Sequence, residues 1–229
     1  YAVAKSIVLP WLSMWFKTHI EGSESIPVKG PVLIAVNHVS LFDPFAVAYA
    51  IDRRGRHPRF LVKSTLFRIP GVSWILRSAG QVRVDRGTPE APWSLQHAER
   101  ALAEGELIVI FPEGTISREA DLEPLEPKTG LARLALSTGI PVIPCATWGG
   151  QWVWSYHMGF RPGPGKDVWV RFGSPLKFEG YEKRKDDPQA WAEVGREVMD
   201  EIEILKAGMR SAKPWVAKQV RAKHLKRVQ

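Results

Sequence analysis

Between Ile20 and Phe172 short apolar, β-branched runs alternate with helical stretches, and this alternation restricts the fold more than any other feature. Val32 to Val36, Phe60 to Val62, Val82 to Val84, Leu107 to Phe111, Pro141 to Ala146 and Val168 to Phe172 read as strands. Near-continuous apolar runs suit strands buried on both faces, and the helices between them imply βαβ units with parallel strands. Helices are predicted over Pro44 to Ile51, with Asp43 as N-cap, over Thr88 to Gly105, and over Thr129 to Thr138 before Gly139. Two prolines place the Pro141 to Ala146 strand near a sheet edge or at irregular pairing. Asp187-Pro188 opens a last helix whose Trp191, Val194, Val198, Ile202 and Leu205 form one core-facing stripe. The expected fold class is α/β: a single domain with a mixed, largely parallel central sheet flanked by helices, plus an N-terminal membrane-interface helical segment. The expected divisions are residues 1–20 for that segment, 21–180 for the α/β core, and 181–229 for the amphipathic helix and a basic tail.

The chain opens on Tyr1 rather than methionine, so a preceding segment is expected. Ile7, Val8, Leu9, Trp11, Leu12, Met14, Trp15 and Phe16 make the first stretch apolar and aromatic, flanked by Lys5 and Lys17. A spanning helix needs about 20 apolar residues, and this run is shorter. It also lacks a signal-peptide cleavage site. A helix lying in the interface, a core-packing helix and a truncated spanning helix all remain open, with the interface helix preferred. Ten tryptophans fit the same setting, since the indole satisfies both an apolar and a polar neighbour at a membrane surface. The net charge of +8 is concentrated in a tail that carries Arg210, Lys213, Lys218, Arg221, Lys223, Lys226 and Arg227 and no acid. Such a tail can meet nucleic acid, anionic lipid headgroups or only water; an anionic membrane surface is the expected partner, and no nucleic-acid reading motif accompanies the charge. The single cysteine, Cys145, rules out an intramolecular disulfide framework, and no metal-binding spacing is present.

Four short motifs carry the chemistry. In Asn37 to Asp43, His38 directly follows a strand and Asp43 starts a helix five residues later. If a turn folds the acid back, Asp43 fixes the imidazole tautomer and leaves the other ring nitrogen free as a base. Taken alone, the pair fits equally a satisfied interior histidine and a helix-capping aspartate. Phe111 to Thr115 places Glu113 just past a buried strand and beside Gly114, which permits close backbone approach. Gly80 to Arg86 ends in an arginine able to grip phosphate in two places, and Lys63 is a second candidate cation. Ile140 to Ala146 is chemically inert and reads as a pocket wall.

In this order the four motifs resemble the glycerolipid acyltransferase family, its bacterial 1-acyl-sn-glycerol-3-phosphate (lysophosphatidate) acyltransferases in particular. Asn37-His38 to Asp43 is similar to the family's NHxxxxD block, Gly80 to Arg86 to its arginine-ending block, and Phe111 to Thr115 to FPEGT. Ile140 to Pro144 is similar to the proline-containing fourth block. The sequence departs from the pattern after Thr115, where Ile116-Ser117 precedes Arg118, and at Arg83, where an apolar residue is usual.

The resemblance implies acyl transfer from acyl-CoA or acyl carrier protein to a lysophospholipid hydroxyl, yielding phosphatidic acid. It makes His38 the general base and Asp43 its orienting partner. Asn37, Lys63, Arg86, Glu113, Gly114 and Thr115 are then the substrate-binding set, with no metal and no cofactor beyond the thioester co-substrate. The enzyme is expected on the cytoplasmic face of the cell membrane. Another lysophospholipid or glycerol-3-phosphate as acceptor, and a non-catalytic membrane lipid-binding protein, are the alternatives.

Overall fold

The computed structural model describes residues 14–85, 91–117 and 122–212. Its strands, in chain order, are β1 Phe16–Glu21, β2 Val32–Val36, β3 Pro58–Lys63, β4 Val82–Val84, β5 Leu107–Ile110, β6 Val142–Trp148, β7 Trp154–Ser155, β8 Gly159–Phe160 and β9 Lys166–Phe172. The helices are α1 Asp43–Asp52, α2 Val72–Ser78, α3 Ala91–Ala103, α4 Gly130–Thr138 and α5 Pro188–Ala212. Seven strands form one sheet in the order β1-β9-β6-β2-β5-β3-β4, and β7 and β8 make a separate hairpin.

The sheet is mixed and largely parallel, as expected. β6, β2, β5, β3 and β4 run together, β9 is antiparallel to β6, and β1 lies parallel to β9. Every residue of β2, β5 and β6 is buried, which is why β2 and β5 read as unbroken apolar runs and β6 as one up to Thr147. Ile34, Val36, Val109 and Cys145 pack on one face with Ala46, Val47, Ala50 and Ile51 of α1. On the other face Leu33, Ala35, Ile108 and Ala146 meet Leu102 of α3, Leu131 and Leu134 of α4, and Val198 and Ile202 of α5. The predicted α5 stripe holds: Val194, Val198 and Ile202 are fully buried, and Trp191 and Leu205 are half-buried.

Three expectations change. Phe16 to Ile20 belong to strand β1, not to an N-terminal helix; Phe16 is buried and exposure alternates thereafter, the period of a strand. The rest of that segment, residues 1–13, lies outside the described residues, as do the expected helix start at Thr88 and the tail beyond residue 212. The proline-bearing strand β6 is interior, between β9 and β2. Pro144 is tolerated because β9 ends at Phe172, and the Pro144 carbonyl accepts from Gly173 beyond that end. Asp43 does not cap α1; Phe42 holds that position, and the Asp43 carboxylate turns back to the preceding loop. Among the described residues no helix is long and apolar enough to cross a membrane.

Candidate active site

The parallel strands end on one edge of the sheet, and each candidate motif follows one of those ends. Along that edge come Gly149-Gly150 after β6, Asn37-His38 after β2, Phe111 to Thr115 after β5, Lys63 closing β3, and Asp85 after β4. In open α/β sheets, ligands bind outside the carboxyl ends of the strands. Segments up to about 110 residues apart in sequence are thus gathered by strand order alone.

The turn that brings Asp43 back to His38 is built from its own loop. Asp43 Oδ2 accepts from the Val39 and Ser40 backbone N–H groups, each at 2.8 Å, and lies 3.1 Å from His38 Nδ1. The Ser40 hydroxyl donates to the other carboxylate oxygen and accepts from Phe42 N–H. Asp43 is fully buried, so these four donors replace the water it has lost. The arrangement commits Nδ1 to Asp43 and leaves His38 Nε2 with no hydrogen-bond partner among the described residues. The ring itself stacks on Phe111, centroids 4.1 Å apart, and keeps a small exposed edge.

Asn37 and Glu113, both expected to contact substrate, are buried and tied to backbone. Asn37 donates to the Thr147 carbonyl and accepts from Thr147 N–H at 2.7 Å, pinning the end of β2 to β6. Glu113 accepts from His38 N–H at 2.7 Å through one oxygen and from Leu125 N–H at 3.1 Å through the other. Ser117 N–H donates to the His38 carbonyl, so the FPEGT loop clasps both peptide groups of His38. Gly114, at a φ of 72°, allows the turn. Gly114 and Thr115 lie at this edge, and Lys63 is exposed at the end of β3. Arg86 and Arg118 lie outside the described residues.

One neighbour was not anticipated. Gly150, after β6, backs onto the pair: a methyl group there would collide with Ser40 Oγ and sit 3.0 Å from Asp43 Oδ1. The Gly149-Gly150 doublet, with two residues between it and the strand predicted to end at Ala146, was the available signal.

A model of the family described as Acyltransferase matches residues 17–148, more than half of the chain. The chain belongs to the acyltransferase family. A "1-acyl-sn-glycerol-3-phosphate acyltransferase" from Cocos nucifera is 30% identical over 72% of this chain and 52% of its own length. One of the same name from Borreliella burgdorferi is 34% identical over 58% of this chain and 53% of its own length. The crystal structure of the 1-acyl-sn-glycerophosphate (LPA) acyltransferase PlsC from Thermotoga maritima superposes with a TM-score of 0.62 at 27% identity. That match covers 87% of this chain and 75% of the other. The chain spans about half the length of those two sequence relatives.

Within this acyltransferase-family chain Glu113 is the acid with the most consequential environment. Burial pushes its carboxyl above the ordinary value near 4.5, against the pull of the His38 and Leu125 N–H groups and, more weakly, of buried Lys206. A raised folded value means that its stabilising contribution is complete below the ordinary range and is lost as pH rises through the raised value. Glu113→Gln places an NH₂ against one of the two backbone N–H groups. It is expected to lower stability by about 1–3 kcal/mol in acid, with the gap to wild type narrowing as pH rises. Unfolding by denaturant across that range checks it; a gap independent of pH contradicts it.

Proposed function

We propose that this chain transfers a fatty acyl group from acyl-CoA or acyl carrier protein to the free hydroxyl of 1-acyl-sn-glycerol-3-phosphate, making phosphatidic acid. The observation that carries this reading is the His38 ring, held at Nδ1 by buried Asp43 with Nε2 unoccupied at the carboxyl edge of the sheet. In the first step Nε2 takes the proton of the acceptor hydroxyl as its oxygen attacks the thioester carbonyl. The tetrahedral intermediate then collapses, the carbon–sulfur bond breaks, and the imidazolium returns the proton to the departing thiolate. Asp43 stabilises the imidazolium between the two steps. Positioned general-base catalysis of this kind contributes about 10²–10⁴-fold. The thioester is already activated, so no metal is called for.

Lys63 and Arg86 are assigned to the acceptor phosphate, and Gly114 and Thr115 to the glycerol end. Asn37 and Glu113 act one step back, by fixing the loop that carries His38. Substrate and product are bilayer lipids, so the enzyme works at the cytoplasmic face of the cell membrane, with residues 1–13 and the basic tail as attachments. A juxtamembrane cation contributes about 1 kcal/mol on an anionic leaflet.

The test follows thiol release from acyl-CoA with and without lysophosphatidate, then with other lysophospholipids and glycerol-3-phosphate. Release that requires lysophosphatidate and yields phosphatidic acid is the expected result. No release with any acceptor sinks the reading in favour of a non-catalytic lipid-binding protein.

A further inference from the structure

The segment between β3 and β4 holds an unusual surface. A 3₁₀ turn at Ser64–Arg68, Ile69 just after it and helix α2 together carry Leu66, Phe67, Ile69, Val72, Trp74, Ile75 and Leu76, yet neither element buries a single residue. Trp74 is 60% exposed, Ile75 47%, Ile69 45% and Leu66 41%. Five of the twelve large hydrophobic side chains exposed among the described residues fall within the ten residues 66–75. Scattered exposed apolar residues need no explanation, but a contiguous patch marks an interaction site.

Its surroundings say what kind. From Arg53 to Val84 the chain carries eight Lys or Arg and no acid. Arg54 and Arg56 are used on backbone carbonyls, and Arg59 and Arg83 on carboxylates. Lys63 and Arg77, bracketing the apolar stretch, are exposed and form no ion pair among the described residues. A second copy docking through the same patch would press cations against cations. Residues 1–13 carry one lysine and no acid, so they offer nothing to complement the charge either. An anionic lipid bilayer supplies both halves: an apolar layer for Trp74 and Ile75, and headgroups for the flanking cations.

The patch is also well placed. It leaves the carboxyl end of β3 on the same edge as His38. A second exposed apolar set leaves that edge beside the pair: Leu41 and Phe45 after β2, with Phe45 stacked on Trp154 and Trp154 against Phe160.

We propose that residues 64–78 form a membrane-docking element that inserts its apolar side chains into an anionic bilayer and seats the sheet's carboxyl edge against it. This rests on the functional reading for its purpose, but not for its test. The double variant Trp74→Glu, Ile75→Glu is expected to keep its melting temperature and to partition at least about tenfold less onto phosphatidylcholine vesicles containing phosphatidylglycerol. Its thiol release with bilayer-embedded lysophosphatidate falls in parallel, while turnover on a short-chain, monomeric lysophosphatidate is unchanged. Ile75→Cys carrying an environment-sensitive fluorophore shifts to the blue on anionic vesicles and much less on phosphatidylcholine alone. Undiminished vesicle binding by the double variant overturns the proposal. So does a blue-shifted probe in the absence of vesicles, which means that the chain itself or a second copy covers the patch. If wild type releases no thiol with either acceptor, the functional reading fails, and the vesicle measurements still decide the docking.

Discussion

His38→Ala is expected to lower acceptor-dependent thiol release by at least about 100-fold while the protein stays folded. The expectation follows from what the side chain touches. In the proposed reaction its Nε2 is the base, and no other titratable group within the loop from Asn37 to Asp43 can replace it, since Asp43 already serves four donors. The structural cost is small by comparison. The ring stacks on Phe111, a contact worth about 0.5–1.5 kcal/mol, and the Asp43 carboxylate keeps three of its four donors. The His38 backbone N–H still donates to Glu113, so the loop retains its clasp. Circular dichroism and melting are measured beside turnover. Wild-type-like turnover removes His38 from the mechanism, and a collapse of the fold makes a His38→Gln comparison decisive, because that side chain fills the site without accepting a proton.

The sequence made the sheet legible where burial was two-sided. β2 and β5 read as strands because nothing polar interrupts them, β6 because nothing polar precedes Thr147, and α5 because its stripe keeps helical spacing. Strand β1 was misread for the opposite reason. Phe16, Thr18 and Ile20 alternate with Lys17, His19 and Glu21, a period-two pattern that the aromatic run before it obscured. The interior position of β6 was hidden because a proline's cost depends on whether its neighbour strand continues past it, and Phe172 ends β9 just short of Pro144.

At the site the pairing of His38 with Asp43 was more legible than the division of labour. His38, Asp43 and the FPEGT loop were all recognisable. That Glu113 and Asn37 turn their polar atoms to backbone was not, because a carboxylate beside a pocket and one beneath it share the same sequence. Gly150 was missed because its function is an absence: the space a methyl group would take is occupied by Ser40 and Asp43. The exposed stretch from Leu66 to Ile75 escaped notice for a related reason. Its composition is that of a core helix, and only the fold reveals that none of the described residues covers it.

Asp43→Asn separates orientation from bulk, and its expected effect is nearly as large, at least about 100-fold in turnover. The change keeps the shape of the side chain and replaces one oxygen by an NH₂. In the wild type Oδ2 receives two backbone N–H groups and His38 Nδ1, while Oδ1 receives the Ser40 hydroxyl. The asparagine carbonyl goes to the side with two fixed backbone donors, since those cannot move, and the NH₂ then faces Ser40 Oγ, which can rotate to accept. The loop therefore survives, at a cost of about 1–3 kcal/mol for the weakened acceptor. What does not survive is the negative charge facing Nδ1. A neutral carbonyl still accepts from Nδ1–H but leaves the imidazolium without its counter-charge; in serine proteases the aspartate-to-asparagine change, which there also sets the wrong tautomer, costs about 10⁴-fold. The two roles are separable by measurement. Loss of turnover at unchanged KM, in a protein whose melting falls only modestly, places Asp43 in the proton transfer. An equal loss from Asp43→Ala and Ser40→Ala, each tracking melting temperature, would reduce Asp43 to a structural peg and leave His38 to act alone.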